Sequence, residues 1–234
     1  MSPRRSRRPP APPRPAPIAA RTPRRPLFRI GRPPDPLAWP RHAIIGQERF
    51  GDPRGDYRVL YAARQRTACF AETLAGFRPD LASLAAERAV VGTTEPVRRP
   101  VVPAAWWRHR LVGAFRLGPG SWLDLRALGT FQVLRVAFAE LAMSVGLADV
   151  DLGAVAGQVP IAGQERRLTQ AISRWAFDQG FGGIVYTSRL HQRYVCWAVF
   201  EGTLLQPAGP PVPIAADDPD FVRIARRFGL LIEP

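Results

Sequence analysis

The pattern of apolar and polar positions divides this chain into short runs of strand length and longer stretches with helical spacing. Residues 27–63 read as short strands and loops, and 57–63 is the clearest strand among them. Thr67 is the expected N-cap of a helix reaching about Gly76, and a second short helix is expected over 79–88, with Asp80 near its start. Residues 111–117 and 121–125 read as two strands separated by Gly118-Pro119-Gly120, a turn signal. Over 130–145 apolar residues recur at Phe131, Leu134, Phe138 and Leu141, predicting a helix capped by Thr130 and closed by Gly146. Residues 164–179 repeat the pattern through Leu168, Ala171, Ile172, Trp175 and Ala176, with Gly180 at the end. Strands at 183–187 and 194–200 follow. A last helix over 219–228 lies between Asp218 as cap and Gly229 as stop.

These strands come in pairs separated by helices, without regular β-α-β alternation. That predicts an α+β fold with a mixed or largely antiparallel sheet. Neither Gly-x-Gly-x-x-Gly nor a P-loop pattern occurs, so those two phosphate-binding devices receive no support. Residues 1–26 break the pattern. They hold nine prolines and eight arginines without apolar periodicity, and a disordered tail is expected there, ahead of a folded body over 27–234.

Composition changes the picture in two ways. The chain has no lysine: its 33 basic residues are all arginine, against 19 acidic ones, for a net charge of +14. A balance of that kind suggests nucleic acid, yet residues 1–34 alone carry ten arginines and no acid, leaving +4 for the rest. Contact with nucleic acid is therefore expected through the basic tail at most. Cys69 and Cys196 sit apart in apolar runs, and His42, His109 and His191 form no ligand-spaced pair, so no disulfide framework and no metal site are expected. No apolar run approaches the roughly 20 residues of a membrane span, and no signal core is present, which predicts a cytoplasmic protein without membrane contact.

Five residues at the edges of core elements could carry chemistry. Arg29 and Arg49 flank a loop-rich region, and a planar guanidinium fork binds phosphate bidentately; the plain alternative is two surface arginines. Tyr61 offers a ring for stacking and a hydroxyl, or simply a core edge. Glu72, on a helix rich in Ala68, Ala71 and Ala75, borders a small, packed face, where a carboxylate needs either a task or an ion-pair partner. Ser188 ends an apolar strand, as a binding group or as a turn residue.

The order Phe28-Arg29, Arg49-Phe50, Leu60-Tyr61-Ala62 and Ala71-Glu72 resembles the RES domain family. So do Ala171-Ile172-Ser173-Arg174-Trp175, the run Gly180-Phe181-Gly182-Gly183-Ile184-Val185-Tyr186-Thr187-Ser188, and the closing Cys196-Trp197-Ala198-Val199-Phe200-Glu201. The likeness spans about 27–204. Two departures stand out: Phe50-Gly51-Asp52 follows Arg49 where many relatives have tryptophan and asparagine, and Thr187 stands where proline often precedes the serine. The resemblance implies an ADP-ribosyltransferase-like fold, a mixed sheet core with flanking helices. It also implies NAD+ as a substrate that is degraded without a metal, and a small antitoxin protein covering the cleft. By the same likeness Arg29 and Arg49 would bind phosphates or ribose, Tyr61 would line the nicotinamide site, Glu72 would assist catalysis, and Ser188 would hold nicotinamide or its ribose. Alternatives that stay open are transfer of ADP-ribose to a macromolecule and a non-enzymatic module that binds a partner or nucleic acid.

Overall fold

The computed structural model describes residues 17–41, 48–91, 99–151 and 164–234. In chain order the strands are β1 (Ala19–Ala20), β2 (Leu27–Gly31), β3 (Val59–Ala63), β4 (Val101–Val102), β5 (Leu111–Leu117), β6 (Trp122–Asp124), β7 (Gly183–Thr187), β8 (Val195–Phe200), β9 (Leu205–Pro207), β10 (Val212–Pro213) and β11 (Leu231–Ile232). The α-helices are α1 (Arg66–Leu74), α2 (Leu81–Val91), α3 (Ala104–Arg108), α4 (Leu128–Ser144), α5 (Gln164–Asp178) and α6 (Pro219–Arg227). Nine strands form one sheet in the order β1-β6-β7-β8-β3-β2-β5-β10, with β9 also on β5, and β11 pairs β4 separately. Within the large sheet the β6–β7 pair is parallel and the other pairs are antiparallel. This is the α+β architecture with a mixed sheet and flanking helices that the pairing of strands predicts.

One face of the sheet buries Leu27, Leu60, Ala62, Phe115, Trp122, Val185, Trp197 and Val199 together. The other face divides into two clusters. One collects α4, α5 and the β6-β7-β8 side, including Leu134, Leu168, Ile172, Ile184 and Phe200. The second joins α1, α3 and α6 through Phe70, Leu74, Trp107, Phe221 and Ile224.

Four local expectations are corrected. Order begins earlier than Leu27: β1 pairs with Trp122 and Leu123, and Thr22 accepts a hydrogen bond from the Trp122 indole at 3.1 Å, so residues 17–26 do not belong to a tail. The proline and arginine content hid a strand only two residues long. Thr130 lies inside α4, not at its cap, because its buried hydroxyl accepts the Ile18 N–H at 3.2 Å. Thr67 likewise does not cap α1; Gln65 takes that position, and the Thr67 hydroxyl donates to Asp220 at 2.7 Å. The helix expected over 79–88 begins at Leu81 and runs to Val91. By contrast Asp218 caps α6 as its sequence suggests, accepting the N–H groups of Asp220 and Phe221. Among the described residues no helix is long and apolar enough to cross a membrane, and no cluster of His, Cys, Asp and Glu could hold a metal ion.

Candidate functional site

The site begins with strand register. Tyr61 stands opposite Ala198, and Ala198 opposite Ile184; two residues along, Ala63 stands opposite Cys196, and Cys196 opposite Tyr186. Residues paired in this way share a face. Ala63, Cys196 and Ala198 are small, so the rings of Tyr61 and Tyr186 rise from a low floor. On this face α1 packs over β2 and β3, whereas α5 packs over β7. The floor between them is where the candidate residues gather.

Arg49 reaches it from a turn that α5 holds in place. Thr169 Oγ1 donates to the Arg49 carbonyl at 2.6 Å, Gln170 Nε2 to the Glu48 carbonyl at 3.0 Å, and Ser173 Oγ to the Phe50 carbonyl at 2.7 Å. From the sheet side, the Phe50 N–H donates to the Tyr61 hydroxyl at 2.9 Å. The turn is thus tied through consecutive peptide groups to a helix and a strand. Asp52, fully buried just beyond it, accepts the Asp56 N–H at 2.8 Å and an ion pair from Arg174 at 3.3 Å. With its backbone fixed, the Arg49 guanidinium lies 5.1 Å from the Phe50 ring centre and 5.4 Å from that of Tyr186. Those two rings are themselves 5.1 Å apart. Among the described residues that guanidinium has no hydrogen-bond or ion-pair partner, so its donors remain for a ligand.

Glu72 comes to the same place from α1. The packed face of α1 is Ala68, Ala71 and Leu74; Glu72 lies one residue, about 100° of helical turn, past Ala71 and is exposed. The expectation of a carboxylate against a packed face is therefore corrected, and no ion pair holds it among the described residues. The Cys196 thiol lies 3.9 Å from its Oε1. Its charge acts on Arg49, Tyr186 and both cysteines.

Arg29 occupies a different kind of position. β2 and β3 share one paired position, Phe28 opposite Ala63, and then part. The Arg29 guanidinium fills the wedge, donating through Nη1 to the Tyr61 carbonyl and through Nε to the Pro36 carbonyl, both at 3.0 Å. Pro36 can come that close because β2 ends in Gly31, where a β-carbon would lie 2.3 Å from the Pro36 oxygen. Arg29 therefore bridges strands that no longer pair. Ser188 is buried, and its hydroxyl accepts the Leu190 N–H at 3.0 Å while its own N–H reaches the Tyr194 carbonyl. That is a turn-forming serine at the rim of the floor, beside Arg189, whose charge is felt at Arg49.

Burial dominates the electrostatics. It draws the Arg29 and Arg49 guanidinium pKa values down, with Glu48 opposing at Arg29 and Tyr186, Tyr61 and Glu72 opposing at Arg49. It raises the phenols of Tyr61 and Tyr186, which stay protonated donors at neutral pH. The Cys69 thiol is pushed up to about 12 and Cys196 is also raised, so neither is an activated nucleophile. Glu48 is pushed up to about 7 by burial, against the pull of Arg29.

The structure thus gathers Arg49, Tyr61 and Glu72 around one floor, sets Arg29 in the adjoining wedge, and puts Ser188 into a turn at the rim. Sequence reasoning missed Glu48 and Tyr186 as members of this group, and Thr169, Gln170 and Ser173 as its supports. A signal existed for two of them: Thr169 and Ser173, four residues apart, flank the apolar Leu168 and Ile172 on α5, and polar residues bordering a buried stripe need partners. A separate groove of about 650 Å³ between α4 and residues 147–150 is lined mainly by apolar side chains such as Val136, Met143 and Leu147, and lies away from this chemistry.

Comparison with known proteins bears on the family and the fold. A family model described as the RES domain matches residues 26–223. Among solved structures, a chain from the M. tuberculosis MbcT–MbcA toxin–antitoxin complex superposes with a TM-score of 0.51 at 14% identity, covering 84% of this chain and 87% of that one. At such low identity the likeness is one of fold. No curated protein matches the chain.

Proposed function

The chain belongs to the RES domain family, and on that premise we propose that it is an enzyme that cleaves the nicotinamide–ribose bond of NAD+, acting as the toxin of a toxin–antitoxin pair. The observation that carries this reading is the convergence on one sheet face of Arg49, whose guanidinium lies against the Tyr186 ring and has no hydrogen-bond or ion-pair partner among the described residues, with Glu72, an exposed carboxylate 3.9 Å from the Cys196 thiol. The toxin role is supported by the fold shared with a chain of a toxin–antitoxin complex.

The chemistry suits the residues. Breaking an N-glycosidic bond to nicotinamide makes the ribose carbon oxocarbenium-like while a neutral base departs. A carboxylate beside that carbon stabilises the developing positive charge and can accept a hydrogen bond from the ribose 2′-hydroxyl; Glu72 takes this role. Arg49, and the donors of Arg29 not committed to carbonyls, hold the diphosphate, so that binding energy far from the reacting bond orients the sugar. The aromatic walls exclude water from the nicotinamide end. A water or phosphate oxygen then bonds to the ribosyl carbon, and an acceptor proton is released. Purified protein incubated with NAD+, with products resolved by chromatography, tests this. Nicotinamide release that disappears in Glu72→Gln is expected, and full turnover by that variant removes Glu72 from the mechanism. If NAD+ is not consumed and does not raise the melting temperature, the activity itself is wrong.

A further inference from the structure

Glu72 is placed by its helix. Among the described residues no oxygen or nitrogen donor holds its carboxylate, and the Cys196 thiol stands 3.9 Å away. Where α1 sits therefore decides where that charge sits. With nine residues α1 is too short to be stable by itself, and its N-cap, Gln65, makes no side-chain hydrogen bond to the helix. What fixes its first turn comes from near the other end of the chain. Arg66 Nη1 donates to Asp218 Oδ1 at 2.8 Å and to Asp220 Oδ2 at 2.9 Å, and Arg66 Nη2 donates to Asp218 Oδ2. The Thr67 hydroxyl donates to Asp220 Oδ1 at 2.7 Å. The Arg66 guanidinium also lies 5.1 Å from the Phe70 ring centre, and Phe70 stacks on Phe221 of α6 at 5.7 Å.

The two α6 carboxylates have different tasks. Asp218 caps its own helix by accepting the N–H groups of Asp220 and Phe221. The Asp220 side chain makes no such bond: both its oxygens go to α1, and Arg223 on its own helix comes only within 4.0 Å. An acid in the first turn of a helix is favourable through the dipole alone; the direction of both oxygens is what makes Asp220 a clamp. On the sheet side the Cys69 thiol donates to the Phe28 carbonyl at 2.9 Å, and Ala68 and Ala71 are buried. Glu72 follows Thr67 by five residues, a rise of about 7.5 Å, so a helix that rocks on α6 carries the carboxylate with it. The Arg49 turn is anchored separately, by α5 and β3. We propose, resting on the reading of Glu72 as the group beside the ribosyl carbon, that Asp220, acting through Thr67 and Arg66, is a positioning residue for the reaction. It sets Glu72 at the bond to be broken and leaves the grip on the nucleotide to the arginines.

The test is a split between kcat and KM. Nicotinamide release from NAD+ is followed for the full chain and for Thr67→Val, Thr67→Ser and Asp220→Asn, well below each melting temperature, with calorimetric binding of ADP-ribose alongside. Thr67→Val keeps the shape and the branching but removes the hydroxyl, and kcat is expected to fall about tenfold or more. KM for NAD+ and the Kd for ADP-ribose should stay within about twofold of wild type. Thr67→Ser restores the donor and should recover kcat to within about threefold. Asp220→Asn turns one acceptor into a donor that faces Thr67 or Arg66, and should show the same split, which keeps the test open where Thr67→Val folds poorly. A kcat unchanged in both Thr67→Val and Asp220→Asn overturns the assignment. So does a loss that appears in KM and ADP-ribose binding with kcat intact, or a Thr67→Ser variant as slow as Thr67→Val. Failure of the underlying reading looks different: a wild-type protein that neither consumes NAD+ nor binds ADP-ribose removes the activity itself, whereas wild-type turnover with an indifferent clamp removes only the role of Asp220.

Discussion

Replacing Tyr61 with phenylalanine separates two roles that one residue could play. The ring is retained, so a purely stacking tyrosine would tolerate the change. The hydroxyl, however, is the acceptor for the Phe50 N–H at 2.9 Å, and Phe50 is fully buried. Removing it leaves a buried donor unsatisfied, at a cost of about 1–3 kcal/mol. Three α5 side chains still hold the neighbouring carbonyls, so we expect the lower part of that range, about 1–2 kcal/mol. For a domain of this size that lowers Tm by roughly 2–8 °C. A turn freed on its sheet side also shifts the Arg49 guanidinium, and a misplacement of about 1 Å can cost on the order of 100-fold in rate; we expect kcat/KM for NAD+ to fall about 10- to 100-fold. Urea unfolding and steady-state kinetics on Tyr61→Phe, Ser173→Ala and the double variant give the answer. Because both side chains hold the same residue, Phe50, a coupling of at least about 0.5 kcal/mol is expected. Stability within about 0.3 kcal/mol of wild type would refute the anchoring argument. Lost stability with unchanged turnover would show that the turn does not position Arg49.

Three further outcomes follow from the same geometry. Arg29→Met leaves the Tyr61 and Pro36 carbonyls without their donor and should destabilise by about 2–4 kcal/mol in denaturant unfolding, with Arg29→Lys recovering part of the loss. For Glu48, a pKa near 7 in the folded state against 4.5 ordinarily means that folding stability falls as pH rises from about 4.5 to 7 and is flat above. The full shift is worth ~3 kcal/mol, which solvent around a half-buried group reduces to about 1–2; Glu48→Gln should raise Tm at pH 8 and have little effect at pH 4, the raised midpoint being set by burial against the opposing pull of Arg29. Asp218 has the opposite sign: burial works to raise its pKa, but the Arg66 hydrogen bonds and the α6 N–H groups prevail and hold it below the usual carboxylate range. The stability it contributes is therefore present at neutral pH and lost in acid, and Asp218→Asn should flatten the acid limb of a Tm-versus-pH curve.

Strong periodicity and punctuation were legible in the chain. α5 and α6 fell where an apolar stripe met a glycine at the end, and β7 was found because glycine bounds a continuous apolar run. The candidate residues were legible as types at core edges, but their roles were not. Tyr61 serves the backbone of another segment through a contact eleven residues away in sequence, and Arg29 serves a gap between strands that exists only once the sheet has formed. Thr67 and Thr130 have the right identity for helix caps and stand at helix ends, yet each hydroxyl goes to a distant element, Asp220 in one case and Ile18 in the other. Local propensity could not see those partners. Glu48 gave no signal because a lone acid beside an arginine reads as a surface pair until burial is known.

The parting of β2 from β3 has a mechanical consequence. The nine-stranded sheet has two halves, β1-β6-β7-β8-β3 and β2-β5-β9-β10, joined by one paired position and the Arg29 guanidinium where the strands part. Leu27 and Phe115 from one half share a buried cluster with Leu60 and Trp197 from the other, and that cluster is the natural pivot. Rotation about it would widen the wedge without breaking a ladder. A dinucleotide touching Arg29 on one half and Arg49 on the other would then act as a splint, and amide exchange along Leu27–Gly31 and Val59–Ala63 should slow together when it binds.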